Sequence, residues 1–130
     1  MGKQQKKKNR AEDLFEQILT DKVLRKNVVQ KSFEHFFPIY FHRYMEYETA
    51  PFQEEIFRIL ENDTIKLVVI VAFRGSAKST IITTAYVLWS ILGLQQRKFI
   101  VICGQTEQKS RQYLSNIKNQ LLNNELLRKD

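Results

Sequence analysis

Thirteen residues, Val68 to Thr80, constrain this chain more than any others: Val-Val-Ile-Val-Ala-Phe-Arg-Gly-Ser-Ala-Lys-Ser-Thr. An apolar run, Leu67 to Val71, leads into Ala72-Phe73-Arg74-Gly75-Ser76-Ala77-Lys78-Ser79-Thr80, and an apolar-periodic segment from Ile81 to Leu92 follows. A buried strand, a loop of small residues, Lys-Ser and a helix, in that order, make a phosphate-binding loop. Successive backbone N–H groups in a tight loop form a concave anion site, and the helix turns its positive N-terminus toward the phosphates. A lysine then reaches the β- and γ-phosphates while the adjacent hydroxyl ligates Mg²⁺. Here those roles would fall to Lys78 and Ser79, the plainer reading being a turn whose Lys-Ser-Thr only starts a helix. The usual pattern, aligned on Lys78, places glycine at positions 72 and 77, and both are alanine. Gly75 and Ser76 keep the loop small, but a positive φ is sterically easy only at Gly75.

The chain's 130 residues fit one small domain, and 43% hydrophobic residues are enough for a core. The formal charge of +7 is unevenly placed. Lys3, Lys6, Lys7, Lys8 and Arg10 lie in the first ten residues, and the rest carries 16 basic against 14 acidic groups. Residues 1–10 read as a solvated, disordered basic tail, of a kind that also holds phosphate backbones without sequence preference. No apolar run approaches a membrane span and no signal peptide is visible, so a cytoplasmic setting is expected. The single cysteine, Cys103, excludes an internal disulfide and reads as a small core residue within an apolar run.

Periodicity predicts short helices over 11–20 and after Asp21, which is placed to cap the second. The segment from Ser32 to Tyr47 holds Phe33, Phe36, Phe37, Tyr40, Phe41, Tyr44 and Tyr47 at helical spacing, interrupted at Pro38, where a new turn should start. Such a stripe reads as packing surface rather than as a platform for bases, and His35 and His42 within it lack metal-ligand partners. A helix should open at Pro51, run to about Glu61 and end at Asn62-Asp63. Ile65–Phe73 and Lys98–Cys103 are expected as strands. Ser79–Leu92 is expected as a helix ended by Gly93, with Ile81, Ile82, Ala85, Leu88, Trp89 and Leu92 inward. A last helix capped by Thr106 should run to about Leu127, with Tyr113, Leu114, Ile117 and Leu121 on one face.

These expectations define an α/β fold. A βαβα unit of the P-loop NTPase type would occupy 63–130, with a helical, aromatic-rich arm over 11–62 and an incomplete parallel sheet.

Three motifs in order, Pro51-Phe52-Gln53, then Phe73 to Thr80, then Ile102-Cys103-Gly104-Gln105-Thr106, resemble the N-terminal ATPase region of phage terminase large subunits. The stretch Phe36-Phe37-Pro38-Ile39-Tyr40-Phe41 is similar to some members as well, so the resemblance covers about residue 32 to the end. In that family the loop often carries an early arginine and tolerates alanine before the lysine. The resemblance implies that Lys78 and Ser79 bind ATP and Mg²⁺, with Ser79 on the metal, and that Gly75, Ser76, Ala77 and Thr80 complete the cradle. It also implies that Arg74 senses or neutralises phosphate charge during catalysis, and that Gln53 contacts the adenine. The function implied is the front part of an ATP-driven DNA-packaging motor. Its partners would be double-stranded DNA, the remainder of the motor, the small terminase subunit and the portal. The family's acidic second strand and its nuclease carboxylates do not follow in these residues, so the chain is expected to be inactive alone. Two alternatives stay open. A helicase-like or transposition-associated P-loop ATPase is suggested by Gln105-Thr106 followed by a polar helix. A non-catalytic nucleotide- or DNA-binding module is suggested by the missing acidic strand.

Overall fold

The described residues form seven α-helices, one turn of 3₁₀ helix and a π-helical segment, with ends set by capping residues near and far in sequence. The computed structural model describes residues 13–45 and 49–130. The basic tail, the first residues of the helix expected over 11–20, and Tyr47 lie outside them.

Helix α1 covers 13–20. Asp21 separates it from α2 (Lys22–Val29), and its Oδ1 accepts from the N–H groups of Val23 at 2.8 Å and Leu24 at 3.0 Å. Those two donors have no partner inside the helix, which is why aspartate belongs there. Helix α3 (Phe33–Tyr40) runs through Pro38 and ends two residues later, so the expected interruption and new turn at the proline do not occur. Its N-terminus is capped from a distance: Glu61 Oε1 accepts from the Glu34 N–H at 2.9 Å and the Ser32 hydroxyl at 2.8 Å. A carboxylate suits the positive end of a helix.

A single turn of 3₁₀ helix, His42–Tyr44, follows. Helix α4 (Pro51–Glu61) begins with proline at its first position, where no donor is missed. After residues 65–77, a π-helical segment, Thr80–Tyr86, passes directly into α5 (Val87–Leu92). Helix α6 (Glu107–Asn123) is capped by Thr106, whose Oγ1 accepts from Lys109 at 3.2 Å. The expected single helix to Leu127 is divided, because Asn124 ends α6 and caps α7 (Glu125–Lys129) through Leu127 N–H at 3.1 Å.

The core is aromatic and sits between α3, α4 and the π–α5 helix. Phe33 is fully buried, and its ring centroid lies 5.4 Å from Phe57 and Tyr86, 5.6 Å from Trp89, and 6.4 Å from Phe36 and Phe37. Trp89 Nε1 donates to the Val29 carbonyl at 2.9 Å, which ties α5 to α2. The aromatic stripe is thus packing surface, except that Tyr44 is exposed. Ile81, Ala85, Leu88 and Trp89 are buried as expected, whereas Leu92, Leu114 and Leu121 face solvent.

The expected sheet is absent. Among the described residues there is no strand, and the fold is all-helical, 65% of it helix, rather than an α/β P-loop unit. Residues 65–73 and 98–104 contain neither helix nor ladder. The β-branched and aromatic residues there favour an extended backbone, but a strand exists only through a partner. Each run instead lays alternate side chains, Ile70, Ile100 and Ile102 among them, against the helical core. Cys103 is exposed, not a core residue, because it falls on the outward side of that alternation.

A second anchor joins the ends of the described chain. The Asp130 carboxylate receives Arg25 Nε at 2.6 Å, Arg25 Nη2 at 2.5 Å and the Tyr40 hydroxyl at 2.5 Å. The Arg25 and Asp130 side chains are almost wholly buried. Lys26 adds a bond to the Asp130 carbonyl at 3.1 Å, and Lys22 one to Lys129. Burial works to raise the Asp130 pKa, but the hydrogen bonds from Arg25 and Tyr40, with the nearby Arg25 and Lys22 charges, outweigh it and hold the carboxyl low. Burial, then the bond to Asp130, pushes the Tyr40 phenol up.

Two expectations follow from this packing. Phe33→Ala should cost about 3–5 kcal/mol in urea unfolding, while Leu67→Ala, at an exposed position, should stay within about 0.5 kcal/mol. Equal losses would place the core elsewhere. The depressed Asp130 carboxyl contributes stability that is complete above the ordinary aspartate range and lost as pH falls through its lower native value. The raised Tyr40 phenol contributes stability that is complete below the ordinary tyrosine range and lost at higher pH. Stability measured against pH should therefore fall at both ends, and Asp130→Asn should flatten the acid limb.

Candidate phosphate-binding loop

Residues 72–80 form a curled loop whose shape comes from two left-handed backbone positions. The Ser76 N–H closes a turn onto the Phe73 carbonyl at 3.4 Å. Gly75 has φ +88° and Ala77 φ +60°. Glycine reaches that region freely, but an alanine there brings its Cβ close to the following carbonyl and costs roughly 1–2 kcal/mol. The strained residue stands where the usual phosphate-loop pattern has glycine, so the chain keeps the conformation without the residue that makes it easy. Backbone strain of this kind gathers at functional sites, where the surroundings hold it in place.

A helix starts directly after Ala77, whose carbonyl accepts from the Ile81 N–H at 2.9 Å. The N–H groups of Lys78, Ser79 and Thr80 fall in its first turn, where a helix offers no carbonyl to receive them. That turn presents donors and the positive end of the helix dipole. The helix then widens to π geometry over Thr80–Tyr86, a form that is rare and frequent at functional sites. Thr83 Oγ1 donates to the Ser79 carbonyl at 2.6 Å at its start.

The loop's side chains divide by burial. Ser76 is buried, and its hydroxyl has no hydrogen-bond partner. A buried polar atom without a partner is costly and calls for a reason. Lys78 is half-buried, with Nζ donating to the Ala72 carbonyl at 3.1 Å, so its ammonium bridges the two ends of the loop. Arg74 and Ser79 are exposed, and among the described residues no carboxylate pairs with Arg74.

Helix α4 supports the loop by two contacts from its first turn. The Phe52 and Phe73 rings meet edge-on at 5.5 Å. Gln53 Nε2 donates to the Ser76 carbonyl at 3.3 Å while its Oε1 accepts from the Ala50 N–H at 3.0 Å. Both ends of the Gln53 carboxamide are therefore engaged. The structure brings together Gln53 and the whole of Arg74–Thr80, although they were read from motifs 20 residues apart. Sequence reasoning did not find Phe52–Phe73 as the apolar half of this junction. Nor did it find Ser110, whose Oγ accepts from the Gly104 N–H at 2.8 Å at the entry to α6. A Cβ on Gly104 would lie 2.7 Å from that oxygen, so the close approach needs glycine. The pairing of Ser110 with Gly104, six residues apart, leaves no periodic signal.

The arrangement suits a polyphosphate. Two cationic side chains, first-turn N–H groups and an unpaired hydroxyl offer donors and no carboxylate. Ser79 could ligate Mg²⁺ only together with phosphate oxygens, since among the described residues no group of three or more His, Cys, Asp and Glu could hold a metal. No helix among them is long and apolar enough to cross a membrane. Comparison of the chain with protein-family models, with curated proteins and with solved structures finds no match.

Proposed function

We propose that residues 72–80 bind the phosphates of ATP, and that this chain is the nucleotide-binding part of an ATP-driven DNA-packaging motor of the kind it resembles. The observation that carries the first half is Ala77, held in a left-handed conformation immediately before Lys78 at the start of a helix. That conformation turns the N–H groups of the following residues into the first turn of the helix, where a phosphate is received.

In this reading Lys78 leaves the Ala72 carbonyl for the β- and γ-phosphates, exchanging a neutral acceptor for a charged one. The N–H groups of the first helical turn and the orphaned Ser76 hydroxyl take further phosphate oxygens. Ser79 holds Mg²⁺ through its hydroxyl, the rest of the coordination coming from phosphate and water. Bound Mg²⁺ would draw charge from the phosphates and favour their transfer. Arg74, exposed beside the loop, neutralises charge as it develops on the transferred group. Among these residues none is placed to activate a water, so the chain binds nucleotide and contributes to turnover only with acidic groups supplied from elsewhere. The DNA-packaging half of the proposal rests on the resemblance, and on the way α4 with its Pro51-Phe52-Gln53 meets the loop.

Gln53 acts in this reading as a positioning residue. Its carboxamide links the α4 N-terminus to the Ser76 carbonyl and helps hold the loop in its strained form.

Calorimetry with ATP tests the loop. Lys78→Ala should weaken binding by roughly 10–100-fold, the worth of a charged hydrogen bond, and Arg74→Ala by much less. Equal affinity of the wild type and Lys78→Ala would reduce the loop to a turn. Gln53→Ala should weaken ATP and inorganic pyrophosphate by the same factor, because both depend on loop geometry. A loss confined to ATP would instead assign the glutamine to adenine.

A further inference from the structure

The break between α6 and α7 shapes a cleft that shares no residue with the phosphate loop. Its volume is about 530 Å³, and it lies between that break, the end of α3 and the 3₁₀ turn His42–Tyr44. Small-molecule sites commonly enclose roughly 300–1,000 Å³. Four carboxamides line the cleft: Asn119, Gln120, Asn123 and Asn124. Two of them build the fold. Asn124 Nδ2 donates to the Tyr40 carbonyl at 2.7 Å and to Gln120 Oε1 at 3.1 Å, while Gln120 Nε2 donates to the Tyr44 hydroxyl oxygen at 2.7 Å. That chain of bonds fixes one wall of the cleft before anything enters it, which lowers the cost of binding.

The other two have no structural task. Among the described residues neither the Asn119 nor the Asn123 carboxamide makes a hydrogen bond. They stand one turn apart on α6, both exposed and both lining the cleft. Asparagine is a poor helix former, so the helix does not explain them. Tyr44 is likewise unfinished. Its oxygen accepts from Gln120, but among the described residues its own proton has no acceptor. The fully buried Phe41 ring backs it at 5.8 Å, and the Tyr44 ring is 55% exposed, so one aromatic face is open. Arg43 and Lys129 bring two positive charges to the cleft against the one carboxylate of Glu125. We propose that this cleft binds a nucleotide unit, the Asn119 and Asn123 carboxamides reading its base against the Tyr44 ring and Arg43 and Lys129 taking its phosphate.

Each part of the cleft suits a part of that ligand. A carboxamide donates and accepts at once, as the edge of a nucleobase does. A ring backed on one side offers its other face for base stacking. Arginine and lysine are the usual phosphate partners, through charged hydrogen bonds. Glu125 is left to accept from a sugar hydroxyl. A plain sugar would give the two cations nothing to bind, and a bare anion would leave the carboxamides and the ring unused. The same unit comes free or within a single strand, and either source presents base, sugar and phosphate together.

The inference is independent of the phosphate loop, and an NMR titration of the full chain with adenosine monophosphate tests it. That probe lacks the β- and γ-phosphates for which Lys78 is suited. Shifts should gather at Tyr44, Asn119, Asn123 and Lys129, and should persist in Lys78→Ala. Asn119→Ala combined with Asn123→Ala should weaken binding by about tenfold or more, the worth of a base-reading carboxamide. Alanine is the better helix former, so this variant keeps its fold. Arg43→Ala should weaken the monophosphate by about tenfold and leave adenosine unchanged, because only the charged hydrogen bond is lost. Ribose 5-phosphate, which has no base, should bind no better than the double variant binds the nucleotide. A single-stranded pentadeoxyadenylate binding more than about tenfold tighter than the monophosphate would identify a strand as the source, through added stacking and phosphate contacts. Comparable affinity of the two would identify a free nucleotide. Absence of shifts in the cleft with either probe at millimolar concentration would overturn the proposal, as would shifts confined to Arg74–Thr80. Unchanged affinity in the double-alanine variant would overturn it too.

Discussion

The burial of the Phe33 ring among Phe36, Phe37, Phe57, Tyr86 and Trp89 is the contact on which the remaining structure depends. These residues come from α3, α4 and the π–α5 helix, so one ring fixes three elements against each other. Edge-on rings at 5.4 Å, as Phe33 makes with Phe57 and Tyr86, add attraction to the area they bury. Tyr86 closes the π segment and Trp89 lies one turn further on. Anchoring them sets where the helix begins, and with it where Lys78 and Ser79 stand.

The loop inherits its shape from this arrangement. Helix α4 is held in the core by Ile56 and Phe57, and its first turn presses Phe52 on Phe73 and Gln53 on Ser76. The helix after Ala77 is held in the core by Ile81 and Ala85. The few residues between these fixed points must reverse direction in a short span. The left-handed values at Gly75 and Ala77 follow from that demand. Strain persists where the surroundings over-determine a conformation, and here two packed helices do so.

A third feature has the same origin. The helical core packs one side of residues 65–73 and 98–104, but among the described residues no strand pairs with them. Extended geometry therefore survives as an alternation of exposure without the ladder that would make it a sheet. The exposed apolar side chains and the open backbone groups both follow from packing on one side alone.

Much of this was legible in the sequence because it is local. Asp21 and Thr106 announce caps since an oxygen two or three residues ahead of free N–H groups will bind them. Pro51 and Asn62 mark the limits of α4, and the spacing of Phe33, Phe36, Phe37, Tyr40 and Phe41 fixes a buried helical face. The loop was legible as well, since small residues before Lys-Ser permit few backbone paths. Its neighbour Gln53 came from motif order alone, and only the fold engaged its carboxamide at both ends. Other features required the folded chain. The split at Asn124 depends on its Nδ2 bond to the Tyr40 carbonyl, 84 residues away in sequence. The Arg25–Asp130–Tyr40 cluster joins residues with no shared pattern. The expected strands failed for the same reason: residue type favours extension, but pairing needs a neighbour that no local pattern encodes. The sequence by itself determined which segments coil, which extend and where a tight loop of small residues precedes a helix. Tertiary structure alone decided what those extended segments meet, because helical hydrogen bonds close within four residues and strand hydrogen bonds do not.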